Sequence, residues 1–105
     1  MTYFKIYQIN SNKDHNRIRF CSYNFTMAEQ GKIDKSIYDE VYFGKRDLRD
    51  IEDLFEIFNL KRPVDFRGHS MSVSDIVEIM DSDIIDPGYY FCDDIGFKKV
   101  TFNEN

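Results

Sequence analysis

From Thr2 to Asn10 the chain is almost continuously β-favouring, with Phe4 and Ile6 on one side and Tyr3, Lys5, Tyr7 and Ile9 on the other. That period of two predicts a strand. The polar run Asn10-Ser11-Asn12-Lys13-Asp14-His15-Asn16 has no periodicity and predicts a solvated loop. Between Arg17 and Gln30, Ile18, Cys21 and Phe25 recur at helical offsets and Gly31 follows as a C-terminal stop. A short helix is predicted there, its start equally compatible with an extended chain. Asp34 to Phe43 carries Ile37, Tyr38, Val41 and Tyr42, and reads as a helical turn followed by a strand ending at Gly44, in preference to one irregular segment.

Asp47 then stands as the cap of an amphipathic helix. Leu48, Ile51, Leu54, Phe55 and Phe58 form its apolar stripe, and Arg49, Asp50, Glu52, Asp53 and Glu56 its polar one. Asn59 and Pro63 end it. Ser70, Ser72 and Ser74 alternate with Met71 and Val73 as an extended segment would, and Ser74-Asp75 offers a cap to Ile76–Met80, which is either a helical turn or a strand. After the acidic turn Asp86-Pro87-Gly88, Tyr89–Cys92 meets Phe97–Phe102 across Asp93-Asp94-Ile95-Gly96 as a C-terminal hairpin. With no repeat and no linker, residues 1–105 read as one small α+β domain. The expectation is a mixed or antiparallel sheet with an N-terminal strand, a C-terminal hairpin, and one or two helices packed on one face.

The length suits a single compact core, and ten Phe and seven Tyr supply it without disulfides or a metal. Cys21 and Cys92 lie far apart, unlike the dense pattern of a secreted scaffold, which points to a reducing cytoplasm. No apolar run reaches the roughly 20 residues needed to span a bilayer, and the N-terminus lacks the features of a signal peptide, so a soluble, unprocessed protein is expected. The net charge of -5 is uneven: five bases face two acids up to Lys32, and seventeen acids face nine bases thereafter. Such a surface repels phosphates and suits basic protein surfaces, including those that hold nucleic acid, or simply confers solubility.

The segment Phe66-Arg67-Gly68-His69-Ser70-Met71-Ser72-Val73-Ser74-Asp75, the later Tyr89-Tyr90-Phe91-Cys92-Asp93-Asp94-Ile95-Gly96-Phe97-Lys98-Lys99-Val100 and the opening Tyr3-Phe4-Lys5-Ile6-Tyr7-Gln8-Ile9 are the most distinctive text in the chain. Together they resemble the YodL-like domain, a small module of Firmicutes and of their phages and conjugative elements. The resemblance covers nearly the whole chain. It implies a setting among mobile elements in conflict with their hosts, and no agreed chemistry.

His69 with Ser70, Ser72 or Ser74 and Asp75 holds the residue types of a nucleophile, a base and an orienting acid, but serines alternating on an extended run cannot all face one imidazole. The competing readings are a local scaffold and a recognition loop built on Arg67, His69, Ser70 and Ser72. Cys21, Cys92, His15 and His69 match a zinc set by number and not by spacing. The carboxylates Asp81, Asp83, Asp86, Asp93 and Asp94 suggest calcium, yet lack the glycine and closing glutamate of an EF-hand loop. No metal or cofactor is therefore expected. The aromatic first strand suggests base stacking, which the acidic balance opposes, so neither nucleic acid nor membrane is an expected partner.

The leading expectation is a non-catalytic inhibitor carried by a mobile element. It would bind a bacterial host protein through Asp50, Asp53 and Glu56 on the helix and Asp81, Asp83, Asp86, Asp93 and Asp94 around the hairpin. Its sharpest form is a counter-defence protein, anti-CRISPR or antirestriction, that occupies the basic channel of an effector nuclease. The alternatives are a small enzyme or ligand-binding domain centred on Gly68-His69-Ser70, and a regulator of a host cytoskeletal or cell-cycle protein.

Overall fold

The computed structural model describes residues 1–102. Five strands, β1 (Thr2–Ile9), β2 (Tyr38–Arg46), β3 (Ile76–Asp81), β4 (Gly88–Cys92) and β5 (Phe97–Val100), form one sheet in the order β2-β1-β3-β4-β5. Every neighbouring pair is antiparallel. β1 and β3 lie inside the sheet and are covered on both faces, which is why apolar residues occupy both parities of each. Phe4 and Ile6 point into one core with Val77 and Ile79, while Tyr7 and Ile9 point into the other with Ile76. The Ile76–Met80 piece, open between helical turn and strand in the sequence, is thus decided by its place beside β1.

Two helices flank the sheet, α1 (Tyr23–Gln30) and α2 (Asp53–Leu60). Leu54 and Phe58 of α2 are wholly buried against Phe4, Ile6, Val77 and Ile79, so this helix packs one face as expected. α1 lies over the opposite face, where Tyr23 and Met27 join Ile18, Ile33, Tyr38, Phe91 and Phe102. The helices are therefore divided between the two faces rather than gathered on one. The cause is visible in the strands: with both faces of β1 apolar, one helix cannot shield both from water. The N-terminal strand, the turn before β2 (a 3-10 turn at Lys35–Ile37) and the C-terminal hairpin all lie where the sequence pattern placed them.

Local expectations change in three places. The helix expected over Arg17–Gln30 begins only at Tyr23, because Arg17 (φ 56°) and Phe20 (φ 69°) sit in the left-handed region, which no helix interior tolerates. Ser22 is its N-cap, accepting from the Phe25 N–H at 3.2 Å, and Phe25 is 46% exposed instead of lining the core. Asp47 does not cap α2: its carboxylate pairs with the N-terminal amine at 3.4 Å, and α2 starts six residues later. Phe55, expected on the buried stripe, is 43% exposed. Ser70–Ser74 is a turning loop and not an extended run, and Ser74-Asp75 caps no helix. Instead Ser74 (φ 84°) turns the chain so that Asp75 enters the core.

Candidate functional site

Two features rise above ordinary packing. The first is the loop before β3, which is clipped to the sheet by Gln8. This residue shares the face of Phe4 and Ile6 and is 3% exposed, so its amide must find partners inside the protein. Its Nε2 donates to the His69 carbonyl at 2.8 Å and to Asp75 Oδ2 at 2.9 Å, and its Oε1 accepts from the His69 N–H at 3.1 Å. Gly68 is required there, since a Cβ would strike the Gln8 amide. The Ser72 N–H adds a second bond to Asp75 Oδ2 at 2.9 Å.

The other oxygen of Asp75 is unusual. His69 Nδ1 lies 2.7 Å from the Ser70 carbonyl, which can only accept, so Nδ1 carries a proton and Nε2 is the ring nitrogen turned toward Asp75. That Nε2 stands 3.9 Å from Asp75 Oδ1, and both atoms are shielded from water with no hydrogen-bond partner. A proton on either atom relieves the repulsion between them. Burial pushes the Asp75 carboxyl up to about 7, against the lowering pull of the Ser72 and Gln8 donors and the Arg19 charge. Arg19 stacks on the Phe20 ring at 4.5 Å, and Phe20 meets the edge of the His69 ring at 5.3 Å.

A serine or cysteine nucleophile, already disfavoured by the sequence pattern, does not assemble. His69, Ser72 and Asp75 do converge, yet the Ser72 hydroxyl donates to the Ser70 carbonyl at 2.8 Å and Ser74 Oγ accepts from the Phe20 N–H at 3.0 Å. Among the described residues no serine hydroxyl hydrogen-bonds a His69 ring nitrogen. Cys92 is 2% exposed, and burial, with the Asp75 and Asp93 charges, pushes its thiol up to about 12, far from a thiolate at neutral pH. The cluster locks the loop to the sheet.

The second feature is a groove of about 570 Å³ between α2 and the β4–β5 turn. Phe55, Leu60, Cys92 and Phe97 give it apolar walls, while Glu52, Glu56, Asp93 and Asp94 bring carboxylates to it. None of its lining residues is Lys or Arg. Leu60 is 77% exposed and Ile95, at the tip of the turn, 95%. Asp93 builds the turn, with its N–H on the Gly96 carbonyl and its Oδ1 accepting from the Tyr23 and Asp94 N–H groups. Asp94 is exposed and free to meet a ligand.

The structure thus gathers only part of the acidic set. Glu56, Asp93 and Asp94 share the groove, joined by Glu52. Asp53 turns away to hold Arg49, accepting from its backbone N–H at 2.8 Å and its guanidinium at 3.0 Å, which lowers its carboxyl pKa. Asp50 precedes α2, exposed. Asp81, Asp83 and Asp86 lie at the far end of β4, where Asp83 pairs with the N-terminal amine at 3.2 Å. β4 places that end roughly 17 Å from Asp93 at the usual rise per residue. Arg67 is exposed, whereas His69, Ser70 and Ser72 are half-buried. No group of three or more His, Cys, Asp or Glu among the described residues is arranged to hold a metal ion.

The model of the YodL-like domain family matches residues 3–102. The chain belongs to the YodL-like domain family. In this YodL-like domain the Gln8 clip and the Gly68-His69-Ser70 loop carry two of the three distinctive sequence stretches, and the groove is bounded by the third. No curated protein and no solved structure matches the chain. No helix among the described residues is long and apolar enough to cross a membrane.

Proposed function

We propose that this YodL-like domain is a non-catalytic protein-binding inhibitor, and that the groove between α2 and the β4–β5 turn receives a basic, partly apolar segment of a bacterial protein. One observation carries the reading: an apolar trough whose only charged lining residues are carboxylates. Apolar walls supply affinity by excluding water, and the uncompensated acids select a cationic partner and reject phosphate. The family's setting among mobile elements suggests the partner class. An effector nuclease of a defence system presents basic surfaces built for nucleic acid, and an acidic domain of net charge -5 competes for them. A counter-defence protein is the sharpest form of this reading, and a regulator of a host housekeeping protein is a variant that uses the same surface.

The test is binding of the purified domain to candidate effector nucleases, with and without guide RNA, followed by gel filtration and calorimetry. Reversal of Glu52, Glu56 and Asp94 to Lys abolishes binding and inhibition while circular dichroism stays unchanged. Retained binding by the folded triple variant refutes the groove. Asp93 is left intact because it builds the turn.

A further inference from the structure

Among the described residues the sheet has an unpaired long edge. β2 is its terminal strand, nine residues long, and among the described residues β1 is the only strand paired with it. Its outward backbone groups offer a ready template for another strand. A bulge interrupts its register: Ile6 faces Tyr42 while Tyr7 faces Glu40, so Val41 is the extra residue. The bulge changes which side chains share a face. Asp39 and Arg46, opposite Gln8 and Thr2, fall on the α2 face, and Glu40, Phe43 and Lys45, opposite Tyr7, Lys5 and Tyr3, fall on the other. Without the extra residue, Glu40 and Lys45 would point to opposite faces.

We propose that β2 pairs antiparallel with β2 of a second copy of this chain, about a two-fold axis through Phe43, joining two sheets into one. With Val41 bulged in both strands, the two-fold sets Phe43 against its own copy and Tyr42 against Gly44. It also sets Glu40 against Lys45 and Asp39 against Arg46. Four unlike-charge pairs form, two on each face, and no like charges meet. Phe43, 55% exposed, is covered at the centre. The pairing of Glu40 with Lys45 and of Asp39 with Arg46 in one register therefore depends on the bulge. The occupant is a second copy, since the acids at one end of the strand and the bases at the other match the strand's own reverse. The groove lies by the opposite edge of the sheet, beside β5, so the dimer leaves two grooves free and the inference stands independently of the one above.

Sedimentation equilibrium and light scattering across a concentration series give the test. The wild-type chain associates to twice its 12.6 kDa mass. Glu40→Lys alone opposes two lysines at both symmetry-related pairs, and Lys45→Glu alone opposes two glutamates there. Each variant weakens self-association by about tenfold or more. An equimolar mixture of the two restores dimer, because in the heterodimer both pairs set a lysine of one variant against a glutamate of the other. A second rescue is the double variant Glu40→Lys with Lys45→Glu in one chain, in which both pairs are again unlike and self-association returns. Phe43→Lys, at an exposed position, abolishes association, with circular dichroism reporting the fold. A wild-type chain that stays monomeric to its solubility limit overturns the proposal. So does a dimer indifferent to Phe43→Lys, or a folded double variant that remains monomeric.

Discussion

Asp75→Asn separates the cost of burying a carboxyl from the benefit of its hydrogen bonds. Asp75 is 1% exposed and its carboxyl is pushed from 3.8 up to about 7. The folded state therefore holds a proton that the unfolded chain releases above about pH 4. A group raised in this way contributes stability that is fully present below about pH 4 and is lost as pH rises toward 7. The difference in pKa limits the loss to about 4 kcal/mol, at about 1.4 kcal/mol per unit. Asparagine keeps an oxygen for the Gln8 and Ser72 donors and places an NH₂ where Oδ1 faces Nε2 of His69. The variant is thus less stable than wild type, or equal to it, near pH 4, and gains on it by about 2–4 kcal/mol by pH 8. Urea denaturation of both proteins from about pH 4 to 8.5 measures the difference, and groups that do not touch Asp75 cancel in the subtraction. Carbon-13 spectra of the Asp75 carboxyl give the titration directly. A difference in stability that does not change with pH, or a carboxyl that titrates below about 5, refutes the account of a proton held between Asp75 and His69.

Phe58 is wholly buried with its ring 4.9 Å from that of Phe66 and 5.1 Å from that of Tyr42, and Phe58→Ala costs about 3–5 kcal/mol in urea denaturation. Cys92 stays unmodified by a thiol reagent at about pH 8 until the protein unfolds, while the half-buried Cys21 reacts in the native state; mass spectrometry of the labelled peptides distinguishes them. Ser74→Ala keeps the left-handed backbone and removes the acceptor for the Phe20 N–H, costing about 1–3 kcal/mol. Faster hydrogen exchange of the Phe20 amide checks its cause.

β1, β2, the C-terminal hairpin and the fold class were legible in the chain alone, because a period of two and the turn residues are local properties that survive in any compact arrangement, whereas β3 reads as either a helical turn or a strand. β1 is readable from Thr2 to Ile9, and the hairpin from Pro87-Gly88 and the Asp93–Gly96 turn. Resemblance over the same stretches named the family. The remainder depends on how distant segments meet. Gln8 reads as one polar residue in a strand, and only its approach to Gly68, sixty residues away, makes it a clip. Asp75 reads as a helix cap because Ser-Asp before an apolar run has that local chemistry, and burial beside His69 turns it into a proton-holding core residue. The eight acids that look equivalent along the chain are sorted by three-dimensional placement, some holding Arg49 or the N-terminal amine and others facing an apolar trough. Electrostatic and desolvation energies depend on distances and on shielding from water between residues remote in sequence, and no one-dimensional spacing encodes those quantities.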